Sequence, residues 1–125
     1  MIYTTYFAKL KSLPKHIIPI AICGKAPTGY SGPSYRAVAP KYDFFMQWKA
    51  TGDNDYYIKC FKEQVLDTLN PARVVADLYY QVGAAPCSCD IALVCYEKPT
   101  DFCHRHLVAD WLTEHGYACE EYKYE

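Results

Sequence analysis

The sequence lacks an excess of charge of either sign, because 13 basic residues face 14 acidic ones and the formal net charge is -1. Proteins that grip duplex nucleic acid along its phosphates ordinarily carry a broad basic surface. An extensive duplex-binding surface is therefore not expected. A small anionic ligand held by a local patch of positive charge stays compatible with this composition.

The sequence also lacks a long hydrophobic run. No stretch approaches the ~18 apolar residues of a membrane span, and the opening MIYTTYFAKL has no basic segment leading into an apolar one. We therefore predict a cytoplasmic protein that makes no membrane contact. Seven cysteines in such a protein are more often buried, reactive or metal-binding than paired in disulfides.

Several motifs of phosphate chemistry are missing. Neither Gly-x-x-x-x-Gly-Lys-Ser/Thr nor Gly-x-Gly-x-x-Gly occurs. A phosphatase loop of the cysteine type needs arginine six positions after the cysteine, but Ala109 follows Cys103 at that distance and Asp101 follows Cys95. These absences exclude the corresponding mechanisms, and no cofactor is predicted.

The order of predicted elements indicates an α/β fold in a single domain, residues 1–125, with a small, mostly parallel sheet of about four strands flanked by helices. Regular pairing in the second strand should begin only after Pro19, which lacks an N–H group. Asp53 or Asn54, and then Asn70, are the expected helix caps. The strands are predicted at 2–8, 17–23, 90–98 and 117–124, and the helices at 41–50, after Asp53, after Asn70 and at 101–115.

Apolar residues at three- and four-residue spacing predict the buried faces of two helices. The first stripe consists of Ile58, Phe61, Val65 and Leu69. The segment 90–98 is continuously apolar at its centre, which is typical of a strand buried on both faces and placed mid-sheet.

The segment CYEKPTDFCHRHL, residues 95–107, gathers reactive side chains where that strand passes into a helix. If Thr100 or Asp101 caps the helix, Cys103 and His104 lie in its first turn and Arg105 at or just beyond it. Unpaired N–H groups and the helix dipole favour anions there, and they also favour a thiolate. Cys103 is thus the candidate nucleophile, and Arg105 the candidate anion ligand.

Glu97 and Cys95, at the end of the same strand, allow two interpretations each. Glu97 could move a proton together with His104, or it could simply pair with Arg105. Cys95 follows three apolar residues, so packing is favoured over chemistry for it.

If the second and third strands are parallel, the long loop 25–40 opens on the same sheet edge. That loop would supply an opposite wall for a ligand, formed by Lys25, Tyr30, Tyr35 and Arg36.

The segments ALVCYEKPTDFCHRHLVADWL, YTTYFAKL, GKAPTGYSGPSY and VAPKYDFF resemble the short branch of the family called domain of unknown function 488, over nearly the whole chain. The resemblance implies a compact α/β domain whose pocket includes Cys95, Tyr96, Glu97 and the Cys103–Arg105 segment, but no established reaction. Tyr6, in the opening segment, joins Cys95 among the candidate ligand-binding residues. The longer branch carries an aspartate-arginine pair after its second strand; here Cys23-Gly24-Lys25 stands there, so no role is transferred.

Cysteine and histidine residues offer two conceivable sets of metal ligands. Cys87 and Cys89 cannot share an ion with Cys103 and His104, because the intervening strand separates its two ends by ~20 Å. A distant set of Cys87, Cys89, His115 and Cys119 at the opposite edge is conceivable, although Cys-x-Cys spacing is unusual for structural zinc. No metal is predicted for the site at 95–107.

Two functions from different classes remain open. In the first, the protein is an enzyme that acts on a small phosphorylated or nucleotide-like ligand, with Cys103, His104 and Glu97 as catalytic residues. In the second, it is a non-catalytic binding or regulatory domain that captures a nucleotide or an acidic group of a partner protein, and its cysteines are structural.

Overall fold

Four parallel strands form one sheet in the computed structural model, which describes residues 1–125. The strands are β1 (Ile2–Tyr6), β2 (Ile17–Ala21), β3 (Asp90–Cys95) and β4 (Cys119–Glu121), in the order β2-β3-β1-β4. β3 pairs with β2 and β1, and β1 also pairs with β4. The predicted α/β class and the parallel sheet of about four strands are confirmed.

The central position predicted for the third strand is also confirmed, since Ile91 to Cys95 are all buried. The prediction for Pro19 is wrong, because pairing between β2 and β3 begins at Ile17. β2 is an edge strand. The N–H of Ala21 bonds the carbonyl of Pro33, away from β3, whereas that of Ile22 bonds Val94 on β3. The nitrogen of Pro19, two residues before Ala21, therefore faces away from β3, where no N–H donor is needed.

Four α-helices connect and cover the strands: α1 (Tyr42–Thr51), α2 (Asn54–Gln64), α3 (Pro71–Gln81) and α4 (His104–Glu114). Short 3-10 helices lie at Phe7–Ser12, Arg36–Val38 and Leu66–Thr68. The caps of two helices follow the sequence expectation. Asp53 accepts a hydrogen bond from the N–H of Tyr56, and Asn70 accepts one from the N–H of Arg73.

All four α-helices contribute to the main core, which covers the sheet side chains Ile20, Ile22, Ile91 and Leu93. In the predicted stripe, Phe61 and Val65 are buried and Leu69 is half-buried, but the prediction for Ile58 is wrong. Ile58 is 39 % exposed, and Tyr57 is buried in its place. The aromatic ring of Tyr57 packs edge-on against Phe44 and stacks on Phe61, so the helix turns its aromatic face inward.

The loop after β2 returns beside the sheet. Residue 34 forms an isolated parallel bridge with Ala21, and the N–H of Tyr35 bonds the carbonyl of Ala21 at 2.8 Å. Because β2 and β3 are parallel, this loop and the residues that follow β3 meet at one edge of the sheet. None of the helices combines the length and the apolar character that crossing a membrane requires.

Candidate functional site

A cleft of about 480 Å³ lies at the carboxyl ends of β2 and β3, next to the start of α4. This is the edge at which ligands bind in open parallel sheets. Its inner surface includes Cys95, Glu97 and His104, and its rim carries Lys25 and Arg36. The structure therefore brings the residues after β3 together with two cations of the 25–40 loop.

The sulfur atoms of Cys95 and Cys103 are in direct contact, with their Cα atoms 7.7 Å apart, and the other five cysteines have no such partner. Cys95 is 1 % exposed and Cys103 is 4 % exposed. Cys95 lines the 480 Å³ cleft, whereas Cys103 lines a small adjoining cavity that His104 and Glu97 share. The sequence favoured an unpaired Cys103 and a packing role for Cys95, but the two cysteines form one unit.

The helix predicted at 101–115 starts later than expected. Cys103 is its N-cap, in extended backbone conformation, so neither Thr100 nor Asp101 caps it. The ring of Phe102 packs between Trp48 and Tyr57, with centroid distances of 5.4 and 4.9 Å. Phe102, half-buried by these contacts, precedes the extended residue Cys103, and the first helical turn begins at His104.

His104 is held in one tautomer. Its Nε2 lies 2.8 Å from the carbonyl oxygen of Ile22, so this nitrogen donates and Nδ1 is left as an acceptor. Nδ1 lies 4.0 Å from the sulfur of Cys103. Burial lowers the pKa of His104 to about 4, and the bond to Ile22 opposes this shift only in part. The ring is therefore neutral at pH 7, with a lone pair directed toward the cysteines.

Arg105 is fully buried and does not reach the cleft. Its Nε and Nη2 donate to the two carboxylate oxygens of Glu121, each at 3.0 Å. Its Nη1 donates to the backbone oxygen of Glu97 at 2.7 Å and lies 3.5 Å from the sulfur of Cys95. The guanidinium thus braces the end of β3 from behind, and its carboxylate partner is Glu121 rather than the side chain of Glu97.

Tyr6, Tyr30 and Tyr35 lie outside the lining of the cleft. The ring of Tyr6 packs 5.7 Å from the guanidinium carbon of Arg105. Tyr30 donates to the carbonyl of Pro33, and Tyr35 donates to Asp77 on α3. These tyrosines fasten the loop and the buried arginine. The aromatic side chains that do line the cleft are Tyr42, Phe45 and Tyr96.

Lys25 and Arg36 are exposed, and neither forms an ion pair. The hydroxyl of Tyr96 donates to the backbone oxygen of Lys25, which ties the loop to the end of β3. Two cations without carboxylate partners therefore stand on the rim of a cleft whose inner surface holds sulfur and a carboxylate.

The conceivable distant metal set is not assembled. Only Cys95, Cys103 and His104 bring three ligand atoms within 4.8 Å of one another, so Cys87, Cys89, His115 and Cys119 form no such group. His115 instead bonds the carbonyl of Trp111 through Nδ1 at 2.8 Å.

The family model described as "Active DUF488-N3 subclade" matches residues 6–116, which is nearly the whole chain and includes every residue of the cleft. The chain belongs to this DUF488 family. The resemblance drawn from the sequence motifs is thereby confirmed. No curated protein and no solved structure matches the chain.

Sequence reasoning missed Glu121 and the aromatic residues Tyr42 and Phe45. Glu121 lies at the end of the last strand, and only the parallel pairing of β4 with β1 brings it near Arg105. Tyr42 and Phe45 belong to α1, whose apolar spacing identified a helix without showing which turn would face the cleft. No pattern in the sequence identifies Glu121, because the burial of Arg105, which requires a carboxylate or carbonyl partner, is seen only in the structure.

Proposed function

We propose that this DUF488 protein is an enzyme that binds a small phosphorylated or nucleotide-like anion in the cleft and acts on it with the Cys95–Cys103 pair in its reduced form. One observation carries the proposal: two exposed cations without ion-pair partners, Lys25 and Arg36, border a cleft whose inner surface carries a cysteine sulfur, a carboxylate and a neutral histidine.

The two cations on the rim, Lys25 and Arg36, favour a ligand that carries a negative charge. Arginine offers a planar fork that matches phosphate oxygens, and lysine adds a point charge. The rings of Tyr42, Phe45 and Tyr96 supply apolar surface on which a planar base can pack. A cleft of about 480 Å³ has the size of a site for a mononucleotide or a sugar phosphate.

The chemical part of the proposal assigns the nucleophile to Cys95, since its sulfur borders the cleft while Cys103 lies one cavity further in. The guanidinium of Arg105, 3.5 Å away, stabilises a thiolate at Cys95. That sulfur bonds to an electrophilic atom of the ligand as the bond to a leaving group breaks. Glu97 is the group that takes up and returns the proton, and the neutral ring of His104 positions the pair by accepting a hydrogen bond at Nδ1.

The word "active" in the family description supports an enzyme over a purely structural role. The cytoplasmic location and the absence of an extensive duplex-binding surface stay predictions from the sequence. A non-catalytic binding or regulatory domain is the competing function, and it shares the anion cleft but needs no thiol chemistry.

The binding half of the proposal is tested by thermal-shift measurements with inorganic phosphate, AMP and ribose 5-phosphate. Wild type, Lys25→Ala and Arg36→Ala are compared with Lys62→Ala, whose lysine is exposed on α2 outside the cleft. We expect at least one anion to stabilise wild type and Lys62→Ala equally, and the two cleft variants less. Equal stabilisation of all four proteins would place the anion elsewhere.

The enzyme half is tested with the anion that stabilises the protein most, under reducing conditions. Wild type should convert that ligand or trap it on Cys95, and Cys95→Ser should bind it without either outcome. If wild type and Cys95→Ser bind the ligand equally and leave it unchanged, the binding domain is the better description.

A further inference from the structure

We propose that Cys95 and Cys103 form a reversible thiol–disulfide centre that exchanges with a small anionic disulfide, with Cys95 as the attacking thiol and Cys103 as the resolving thiol. This inference concerns the pair itself and does not depend on any ligand of the cleft being an enzyme substrate.

Each sulfur atom of the pair lies beside a side chain that acts on thiols. A disulfide with a purely structural role needs neither a cation at one sulfur nor a proton acceptor at the other. Here Nη1 of Arg105 lies 3.5 Å from the sulfur of Cys95, and Nδ1 of His104 lies 4.0 Å from the sulfur of Cys103. A cation stabilises a thiolate, and the lone pair of a neutral imidazole accepts a hydrogen bond from a thiol, so both neighbours act on the reduced form.

Arg105 and His104 are held in place by hydrogen bonds that do not involve sulfur. Arg105 is fixed by two bonds to Glu121 and one to the backbone of Glu97. His104 is fixed through Nε2 by the carbonyl of Ile22. The surroundings that favour thiolate formation therefore persist whether the two sulfurs are joined or separate.

Cys95 and Cys103 border two cavities of very different size. Cys95 borders the large cleft, while Cys103 borders an adjoining cavity of only about 20 Å³. Both cysteines are almost fully buried, and a reagent that enters the large cleft passes Lys25 and Arg36 on its rim before it reaches the sulfur of Cys95. Because these cations attract anions, the fitting partner is the disulfide of an anionic thiol, and oxidised glutathione is the probe of that class.

The steps balance as ordinary thiol–disulfide exchange. The thiolate of Cys95 attacks one sulfur of oxidised glutathione, which forms a mixed disulfide and releases one glutathione thiolate. The thiol of Cys103, which hydrogen-bonds Nδ1 of His104, loses its proton to water, and its thiolate attacks the sulfur of Cys95, which forms the Cys95–Cys103 bond and releases the second glutathione thiolate. That leaving thiolate takes up a proton from water. Glutathione in excess drives the same steps backward.

The oxidised pair has no thiolate to offer, so oxidation removes the nucleophile that the proposed enzyme uses. Oxidation of the pair would therefore stop the proposed reaction while the cleft stays open to ligands. The thiols can be followed by mass alone, and failure of this inference is thus distinguishable from failure of the proposed function.

The experiment equilibrates the whole chain in glutathione buffers of graded oxidation, quenches it with acid and alkylates the remaining thiols with N-ethylmaleimide before peptide mass spectrometry. We expect Cys95 and Cys103 to lose alkylation together and to regain it in dithiothreitol without denaturant. The free cysteines Cys23 and Cys60, which are also buried, serve as internal controls and should stay reduced.

Two variants assign the roles. Cys103→Ser should accumulate a glutathione mixed disulfide at Cys95 faster than any adduct at Cys60, because the guanidinium of Arg105 lies beside the sulfur of Cys95 and favours its thiolate. Cys95→Ser should accumulate none at Cys103. Three results would overturn the inference: a pair that stays reduced in oxidised glutathione, a bridge that native dithiothreitol cannot open, or one bound zinc ion per chain that shields both thiols.

Discussion

Glu121 holds Arg105 by two parallel hydrogen bonds of 3.0 Å, and it is the only carboxylate in contact with this fully buried guanidinium. Thr4 on β1 donates a further bond of 2.6 Å to the same carboxylate. The pair therefore joins β4, β1 and α4 behind the cleft, and it fixes the charge that faces the sulfur of Cys95.

Removal of Glu121 should be strongly destabilising. We expect Glu121→Ala to lower the free energy of unfolding by about 3–5 kcal/mol, because it leaves the buried guanidinium without its counter-ion. Glu120→Ala is the matched control, since Glu120 is exposed on the same strand, and it should change stability by less than about 0.5 kcal/mol. Urea denaturation of both variants measures the difference, and equal losses would show that the pair contributes little.

Acid should destabilise the fold through His104. The pKa of this histidine is lowered to about 4 in the fold, mainly by burial, whereas an unfolded chain titrates near 6.5. Between these values only the unfolded state takes up the proton, so stability is lost as the pH falls from about 6.5 to about 4. The loss is on the order of 3 kcal/mol. We expect His104→Gln to flatten this part of the pH profile.

The matched control for that profile is His16→Gln, because the side chain of His16 is 69 % exposed. Chemical denaturation at a series of pH values from 4 to 7 compares the three proteins. A wild-type curve that runs parallel to the curve of His104→Gln would mean that His104 titrates normally, and the assignment of a neutral, acceptor Nδ1 would then fail.

The carboxylate of Glu97 should oppose anion binding even if catalysis needs it. We expect Glu97→Gln to bind the best anion of the thermal-shift series about fivefold more tightly, because one like charge at the cleft is removed. Turnover or ligand trapping on Cys95 should fall at the same time. Isothermal titration and a product assay separate the two effects, with Glu63→Gln on α2 as the control. Weaker anion binding in Glu97→Gln would contradict this arrangement of charges.

The helix cap at Asn70 gives a test of the fold that is independent of the site. Asn70→Ala should cost about 1 kcal/mol of stability, because the N–H of Arg73 loses its acceptor. Asn70→Asp keeps a side-chain oxygen there and should remain within about 0.5 kcal/mol of wild type. Thermal or urea unfolding decides between them, and equal losses in both variants would argue against capping.

Local signals in the sequence were enough for much of this fold. Asp53 and Asn70 indicate where two helices start, and the apolar run before Cys95 indicates a central strand. Both signals are readable because capping and burial depend on residues that are close together in the chain. The start of α4 could not be found in this way. Thr100 and Asp101 are good caps by composition, but packing of Phe102 against two aromatic rings from other helices outweighs that preference.

The sequence identified the chain segment that forms the candidate site, but not the contacts that its side chains make in space. The composition of residues 95–107 indicates a site, and the prediction that the 25–40 loop opens on the same edge depends on parallel pairing of β2 with β3, which the structure has. The partner of Arg105 depended on a long-range pairing between β1 and β4 that no local pattern encodes. Sequence spacing also could not show that Cys95 and Cys103 come into contact.

The most direct test of the account compares two thiols of one cleft, Cys95 and Cys23, in the fully reduced protein. Burial raises the pKa of Cys23, whereas Cys95 lies beside the guanidinium of Arg105. Iodoacetamide at pH 7 should therefore alkylate Cys95 faster than Cys23, and a bound anion should slow that reaction. Equal rates at the two cysteines, or a Cys95 rate that no anion changes, would contradict a reactive thiol in an anion-binding cleft.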